Sequence, residues 1–288
     1  MSAPKEKQLS DIKKIGIIAG GGELPRCLID VCKKHGLEVF VIGFQGQTDT
    51  HTMDGCDHMW SRLGAAGSVI KTLKSKAIKD LVMIGHIRRP SLKELKPDLK
   101  TFSFFMKEAL GAAGDDGLLK ALKRFLEKEG FTLHGAQRFM PELLAPLGAL
   151  TKQQPTKEHW ADIKRGVAVL QALGTLDVGQ AVVVQQGYIL GIEGAEGTDA
   201  LIERCSSLSR KGRPPILVKL CKPTQDQDLD LPTIGPDTIE RLVSSGFAGL
   251  AVHSGKSFIS NLELVTEKSK SGKMFVVGID PNALEGGV

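Results

Sequence analysis

Apolar residues along this chain come in short runs separated by stretches of helical periodicity. Ile15–Ala19 (IGIIA) is a continuous apolar run of the kind found in strands buried on both faces. Gly20-Gly21-Gly22-Glu23-Leu24-Pro25 follows, then an amphipathic stretch to about Lys34 that Gly36 stops. Pro25 suits a first helical turn, where a missing N–H leaves nothing unpaired. Glu38–Phe44 (EVFVIGF) reads as the next strand, so the chain opens on a βαβ unit, which requires a parallel sheet. Ser68–Lys76 reads as helix and Lys79–Gly85 as a further strand. Thr101–Glu129 turns helical, with Gly114-Asp115-Asp116 expected as a turn and N-cap between two helices, and Phe131–Leu133 returns to the sheet.

Ala145–Pro155 has the proline, glycine and polar content of a linker. Beyond it, Glu158–Leu173 predicts a helix closed by Gly174. Gln180–Gln185 and Tyr188–Glu193 flank Gln186-Gly187 as a hairpin. Thr198-Asp199 is expected to cap a helix running to about Leu208, and Pro215–Cys221 is a strand. Asp237–Ser245, Gly249–His253, Ser257–Ile259, Leu262–Ser269 and Met274–Gly278 continue the alternation of helix and strand. The pattern predicts two α/β domains: a polar tail over 1–14, a first domain over 15–148, a linker over 149–157, a second domain over 158–281 and a tail over 282–288.

Composition narrows the function. At 288 residues the chain suits two domains, and it can bury a core without disulfides or a structural metal. With one tyrosine and two tryptophans, it offers no stacking platform for single-stranded nucleic acid. The net charge of +5 is spread out, the only dense basic run being Lys5, Lys7, Lys13 and Lys14, so no nucleic-acid footprint is expected. A mild positive balance instead suits an anionic small substrate or an anionic membrane surface. Cys27, Cys32, Cys56, Cys205 and Cys221 form no CxxC pair and read as reduced thiols. Met1–Ser10 is polar and no apolar run approaches the ~20 residues of a membrane span, so a cytoplasmic protein is expected, with membrane contact at most peripheral. A homodimer is compatible with the sequence.

Three stretches carry candidate chemistry. Gly20, Gly21 and Gly22 lie between a strand and a helix, where backbone N–H groups can meet a phosphate. The dinucleotide fingerprint is incomplete: Pro25 stands at its third glycine, and Gln45 follows the second strand where an acidic residue is expected. A phosphate or nucleotide contact and a ligand-free tight turn both fit. In the second stretch, Lys222 to Gly235, Asp226, Asp228 and Asp230 alternate. An extended backbone, which Pro223 and Pro232 favour, would put all three carboxylates on one side at about 7 Å per step. Such a cluster needs a cation or basic partners, and magnesium suits it; a solvated acidic loop is the plain alternative. The third stretch gathers Glu193, Glu196 and Asp199 at a hairpin end, either as a metal or sugar site or as helix capping. His51, Cys56, Asp57 and His58 read as a polar loop, and His134 and His253 as structural residues without an identifiable partner. Phe102, Phe104, Phe105 and Met106 fit a helix core face better than an acyl-chain contact.

With these stretches in view, the chain resembles the UDP-2,3-diacylglucosamine pyrophosphatases of the LpxI type, from Ile15 to about Pro281. The resemblance is carried by Ile18-Ala-Gly-Gly-Gly-Glu-Leu-Pro25, Gly114-Asp-Asp-Gly-Leu-Leu119 and Asp177-Val-Gly-Gln-Ala-Val-Val-Val184. Ile192-Glu-Gly-Ala-Glu-Gly-Thr-Asp199 and Gln225 through Asp230-Leu-Pro-Thr-Ile-Gly235 complete it. It implies a Rossmann-like amino domain, a distinct catalytic carboxy domain and a lipid substrate in the cleft between them. The implied reaction is magnesium-dependent hydrolysis of the pyrophosphate to UMP and 2,3-diacylglucosamine 1-phosphate, a step of bacterial lipid A synthesis, with water attacking the β-phosphorus. Asp230 is then the catalytic aspartate and a metal ligand, joined by Asp226, Glu193 and Asp199. Substrate would meet Gly20, Gly21 and Gly22, together with Asp115, Asp116, Gln180, Thr198, Lys222 and Gln225. The family usually has arginine two residues before that aspartate, where this chain has Asp228. Its positive charge would then come from Lys222, Arg88 or Arg89, unless Asp228 adds a metal ligand or faces solvent. A nucleotide-dependent oxidoreductase and a non-catalytic lipid or nucleotide-sugar carrier are the rival classes.

Overall fold

The computed structural model describes residues 11–88, 96–104 and 114–284, with the side chains of residues 114 and 115 outside the described set. Two compact units divide the chain: Met1–Pro141 together with Asp226–Asp230, and Glu142–Gln225 together with Leu231–Val288.

The first unit is built on β1 (Lys14–Ala19), β2 (Glu38–Phe44), β3 (Asp57–Ser61), β4 (Asp80–Ile84) and β5 (Thr132–Leu133), all parallel, in the order β3-β2-β1-β4-β5. The order reverses between β1 and β4, the place where parallel α/β sheets open a crevice at their carboxyl ends. Ile15 and Ile17 of β1 and Leu81 and Val82 of β4 are fully buried, as apolar runs covered on both faces must be. Helix α1 (Leu24–Lys34) buries Leu24, Leu28, Ile29 and Cys32 at helical spacing and keeps Lys33 and Lys34 in its last turn, where they complement the helix dipole. Burying side chains such as Leu28 and Ile29 contributes about 1.5–3 kcal/mol each. Burial also pushes the Cys32 thiol up to about 12, and all five cysteines are free. Helices α2 (Ala66–Ser75), α3 (Leu99–Phe104) and α4 (Gly114–Lys128) complete the described α-helices of this unit.

The second unit carries a mixed sheet in the order β6-β13-β11-β9-β7-β8, made of β6 (Gly148–Ala149), β7 (Ala181–Gln185), β8 (Tyr188–Ile192), β9 (Ile216–Lys219), β11 (Gly249–His253) and β13 (Phe275–Ile279). β9, β11 and β13 run parallel, whereas β7 and β8 form the antiparallel hairpin expected around Gln186-Gly187. The φ values of 51° and 82° at those two residues give the left-handed turn that matches strand twist. Helix α5 (Lys157–Gly174) covers one face with Ile163, Val167 and Leu170. On the other face, α6 (Gly197–Leu208), α7 (Pro236–Ser244) and α8 (Leu262–Ser271) bring Leu201, Ile239, Leu242 and Val265 into a second apolar cluster. β10 (Thr233–Ile234) and β12 (Phe258–Ile259) pair separately.

Four expectations are corrected. Asp57 and His58 are part of the edge strand β3, not of a loop. Gly114, Asp115 and Asp116 are helical, within α4, and not a turn. The 149–157 stretch is tied into the second unit, because β6 pairs with β13 and the Thr151 hydroxyl accepts from the Val276 N–H at 3.0 Å. Asp226–Asp230 is folded into a tight turn, and the reason lies in its own hydrogen bonds.

Candidate functional site

The glycine loop follows β1, and its amides are already occupied. Gly20 N–H donates to the Ile84 carbonyl at 2.8 Å and Gly21 N–H to the His86 carbonyl at 2.8 Å. Gly22 N–H donates to the Asp49 carboxylate at 2.7 Å. An anionic side chain thus meets the Gly22 amide ahead of α1, at the loop for which the sequence leaves a phosphate contact and a ligand-free turn both open. The glycines serve close approach: a Cβ on Gly20 would lie 2.4 Å from the His86 oxygen, and one on Gly21 would lie 2.7 Å from the Gln47 oxygen.

The alternating aspartates do not line one side of an extended strand. Leu229 N–H donates to the Asp226 carbonyl at 3.0 Å and Asp230 N–H to the same oxygen at 3.3 Å. The Asp226 carboxylate accepts from Asp228 N–H at 3.0 Å, the local side-chain bond by which aspartate diverts a backbone from regular structure. Leu229 points inward, 5% exposed, in the same apolar cluster as Leu126, Phe131 and Leu133. Lys123 of α4 holds Asp226 at 2.8 Å and Asp228 at 3.6 Å, and Gln137 donates to Asp228 at 3.3 Å. Burial alone would depress the Lys123 ammonium, but the bond and charge of Asp226, with Asp228, outweigh it and hold its pKa above the ordinary lysine value. Buried Asp116 pairs with Lys120 at 2.6 Å and accepts from Asp226 N–H at 3.4 Å. Asp230 is exposed at the end of the turn.

In the second unit, the carboxylate of buried Glu193 accepts from Gln180 N–H at 2.9 Å and from the Thr198 hydroxyl at 2.6 Å. Buried Lys219 donates to Thr198 at 3.0 Å and to the Thr233 carbonyl at 3.1 Å. Thr198 is therefore a relay inside the first turn of α6 and not its cap; Glu196 is the N-cap residue and makes no side-chain cap bond. Glu196 pairs with Arg204 at 2.7 Å and Asp199 with Arg241 at 3.2 Å, so Glu193, Glu196 and Asp199 turn to different partners. Lys222 pairs with Asp177, and its N–H donates to Gln225 Oε1 at 3.1 Å. The Oε1 of Gln180 is buried and has no hydrogen-bond partner among the described residues. Arg88 N–H donates to Gln47 at 2.9 Å. Arg89, Phe105 and Met106 lie outside the described residues, as does the side chain of Asp115. Phe104 is buried against Phe125, whereas Phe102 is 55% exposed.

Two family domains account for the chain. Residues 14–143 match the LpxI N-terminal domain and residues 146–277 the LpxI C-terminal domain. The chain belongs to the LpxI family. It is similar to UDP-2,3-diacylglucosamine pyrophosphatase LpxI of Caulobacter vibrioides, with 34% identity over 277 residues, 94% of this chain and 99% of that protein. Solved structures match weakly. The biotin carboxylase domain of Hydrogenobacter thermophilus 2-oxoglutarate carboxylase has 12% identity and a TM-score of 0.25, over 68% of this chain and 40% of that one. The N5-carboxyaminoimidazole synthase of Aspergillus clavatus has 12% identity and a TM-score of 0.25, over 69% and 44%. Both matches span less than half of the other chain, and likeness at that level carries no argument.

Among the described residues of this LpxI chain, no group of three or more His, Cys, Asp or Glu side chains is placed to hold a metal ion. Magnesium asks for less, since it commonly takes one or two carboxylates and fills its shell with water and substrate phosphate. Glu193 is engaged by Gln180 and Thr198, and Asp199 by Arg241. Sequence reasoning missed Lys123, Lys219 and the partners of His134, which are Asp80 at 2.9 Å and Arg138 at 3.0 Å. The signal for Lys123 was its spacing: Asp116, Lys120 and Lys123 stand at i, i+4 and i+7 on one face of α4.

Proposed function

We propose that the chain hydrolyses the pyrophosphate of UDP-2,3-diacylglucosamine to UMP and 2,3-diacylglucosamine 1-phosphate in lipid A biosynthesis, with water attacking the β-phosphorus. The observation that carries this reading is the match of both LpxI domains together with 94% coverage by a pyrophosphatase of that name. The strand order 3-2-1-4-5 supports a Rossmann-like amino-terminal domain. Asp230 is the catalytic carboxylate and would hold magnesium, which supplies charge neutralisation and a more acidic bound water when present. The residues around it set its position. The Asp226 turn and buried Leu229 fix the backbone before Asp230, while Lys123 compensates Asp226 and Asp228 so that three carboxylates tolerate one another. Leu99 and Phe102 on α3 are exposed at 89% and 55% and offer apolar surface for an acyl chain. No helix among the described residues is long and apolar enough to cross a membrane, so contact with the inner membrane is proposed as peripheral, from the cytoplasmic side.

The test is UMP release from UDP-2,3-diacylglucosamine, with and without magnesium, for wild type and Asp230→Ala. Magnesium-dependent release that is lost in the variant is expected. Intact substrate recovered from folded wild type would favour the carrier instead.

A further inference from the structure

The tip of the β7–β8 hairpin and the loop after α6 make one surface in the second unit that the reaction above does not use. Gln185, 2% exposed at the end of β7, clamps the loop. Its Nε2 donates to the Arg210 and Arg213 carbonyls, each at 2.9 Å, and its Oε1 accepts from Arg210 N–H at 2.9 Å. Asp162 of α5 braces the same place, accepting from Gln186 N–H, Gly187 N–H and the Arg213 guanidinium. Gly212 packs directly on the tip, where a Cβ would stand 2.1 Å from Gln186 Nε2. The backbone of the patch is therefore fixed from within while its side chains face outward.

Those side chains are both apolar and basic. Tyr188 and Leu208 are 58% and 48% exposed, and Arg210 and Lys211 are exposed beside them. The Arg210 guanidinium lies over the Tyr188 ring, 4.6 Å from its centroid, a contact that leaves the positive charge intact. Leu208 to Arg213 reads Leu-Ser-Arg-Lys-Gly-Arg, with no acidic residue. Arg213 is paired with buried Asp162, whereas Arg210 and Lys211 form no ion pair among the described residues. On α5, exposed Glu158 is outnumbered by exposed Lys157, Lys164 and Arg165.

This combination suits the surface of a bilayer. Cations meet anionic headgroups, and a tyrosine ring settles at headgroup level with its apolar body toward the acyl chains. A nucleic acid would use the charges but leave Leu208 in water. The patch also stands at the far end of the sheet from Glu193, Thr198 and Lys219: Val184 meets Ile216 at the start of β9, and Ala181 meets Lys219 at its end. We propose that Tyr188 with Leu208–Lys211 is a docking surface for an anionic lipid bilayer. It names a face for the peripheral contact proposed above and does not depend on the hydrolase reading.

The test is co-sedimentation of the full chain with vesicles of phosphatidylcholine, alone or with about 30% phosphatidylglycerol. Wild type should bind the anionic vesicles and be released at about 0.5 M NaCl. Arg210→Gln combined with Lys211→Gln should lower partitioning roughly 30-fold, each basic residue contributing roughly five-fold. Lys270→Gln combined with Lys273→Gln removes the same charge beside the end of α8 and should stay within about two-fold of wild type. Tyr188→Ser should weaken binding with no change of charge. All these variants should keep the wild-type melting temperature and the wild-type rate of UMP release from detergent-dispersed substrate. Absence of wild-type binding would overturn the peripheral contact and this surface together. Binding kept by the Arg210 and Lys211 variant, equal loss in both double variants, or unchanged binding in Tyr188→Ser would overturn this surface alone. If wild type released no UMP, only the hydrolase reading would fail, and vesicle binding would still decide on the surface.

Discussion

Leu229→Ala tests whether the aspartate turn is seated in the first unit or merely lies on it. The side chain is 5% exposed and belongs to the cluster containing Ile42, Leu73, Leu81 and Phe131. Truncating a leucine so enclosed removes its transfer free energy and leaves a cavity, together costing about 3 kcal/mol. With a urea slope of about 3 kcal/mol per M, the unfolding midpoint should fall by about 1 M. Leu229→Met conserves volume and should cost less than about 1.5 kcal/mol. Because Leu229 precedes Asp230, the Ala variant should also lose turnover in its remaining folded fraction. A displacement of about 1 Å at a catalytic group is enough for roughly a 100-fold loss. The assay pairs urea unfolding with UMP release under conditions where both variants are folded. A midpoint within about 0.2 M of wild type, or full activity in the Ala variant, would refute the claim that core packing positions Asp230.

Three further outcomes are expected. Lys123→Met should destabilise by about 1–2 kcal/mol, because it leaves two partly buried carboxylates uncompensated, and adding Asp226→Asn should recover part of the loss in urea unfolding. Burial pushes His253 down to about 4, with Lys256 adding to the effect and Asp280 and a backbone bond with Cys221 opposing it. Its folded value lies below the unfolded one, so its contribution is complete above about pH 6.5 and is lost as pH falls toward 4; His253→Gln should flatten the fall in urea midpoint between pH 7.5 and 5. Asp162, 1% exposed, accepts from Gln186 N–H at 3.1 Å, Gly187 N–H at 2.6 Å and Arg213 at 2.7 Å. Asp162→Ala should cost about 3–5 kcal/mol, read by urea unfolding, and Asp162→Asn clearly less.

The elements legible in the sequence are those whose burial is uniform. β1 and β2 announce themselves because both faces are covered, and the β7–β8 hairpin because Gln186-Gly187 carries its turn geometry locally. β3 was hidden because Asp57 and His58 sit exposed at a sheet edge, where pairing with β2 and not burial makes the strand. At Asp226–Asp230 the motif was visible but its shape was not. Pro223 and Pro232 argue locally for extension, and the Asp226 bonds and the distant core around Leu229 prevail. Lys123 and Lys219 escaped because their partners lie far away in sequence: the Asp116, Lys120 and Lys123 spacing marks one face of α4, but not that Asp226 and Asp228 meet it.

The five residues Asp226–Asp230 also bear on how the protein is made. The first unit's chain otherwise ends at Pro141, so 230 − 141 = 89 further residues must be synthesised before its last piece exists. At about 5–20 residues per second, the ribosome leaves that unit without Leu229 for several seconds or longer. During that interval its core lacks a leucine and Lys123 lacks Asp226. Folding of the amino-terminal half therefore finishes late, in the same stretch of synthesis that delivers Asp230, and a truncated chain ending near Pro141 would keep the vacant seat permanently.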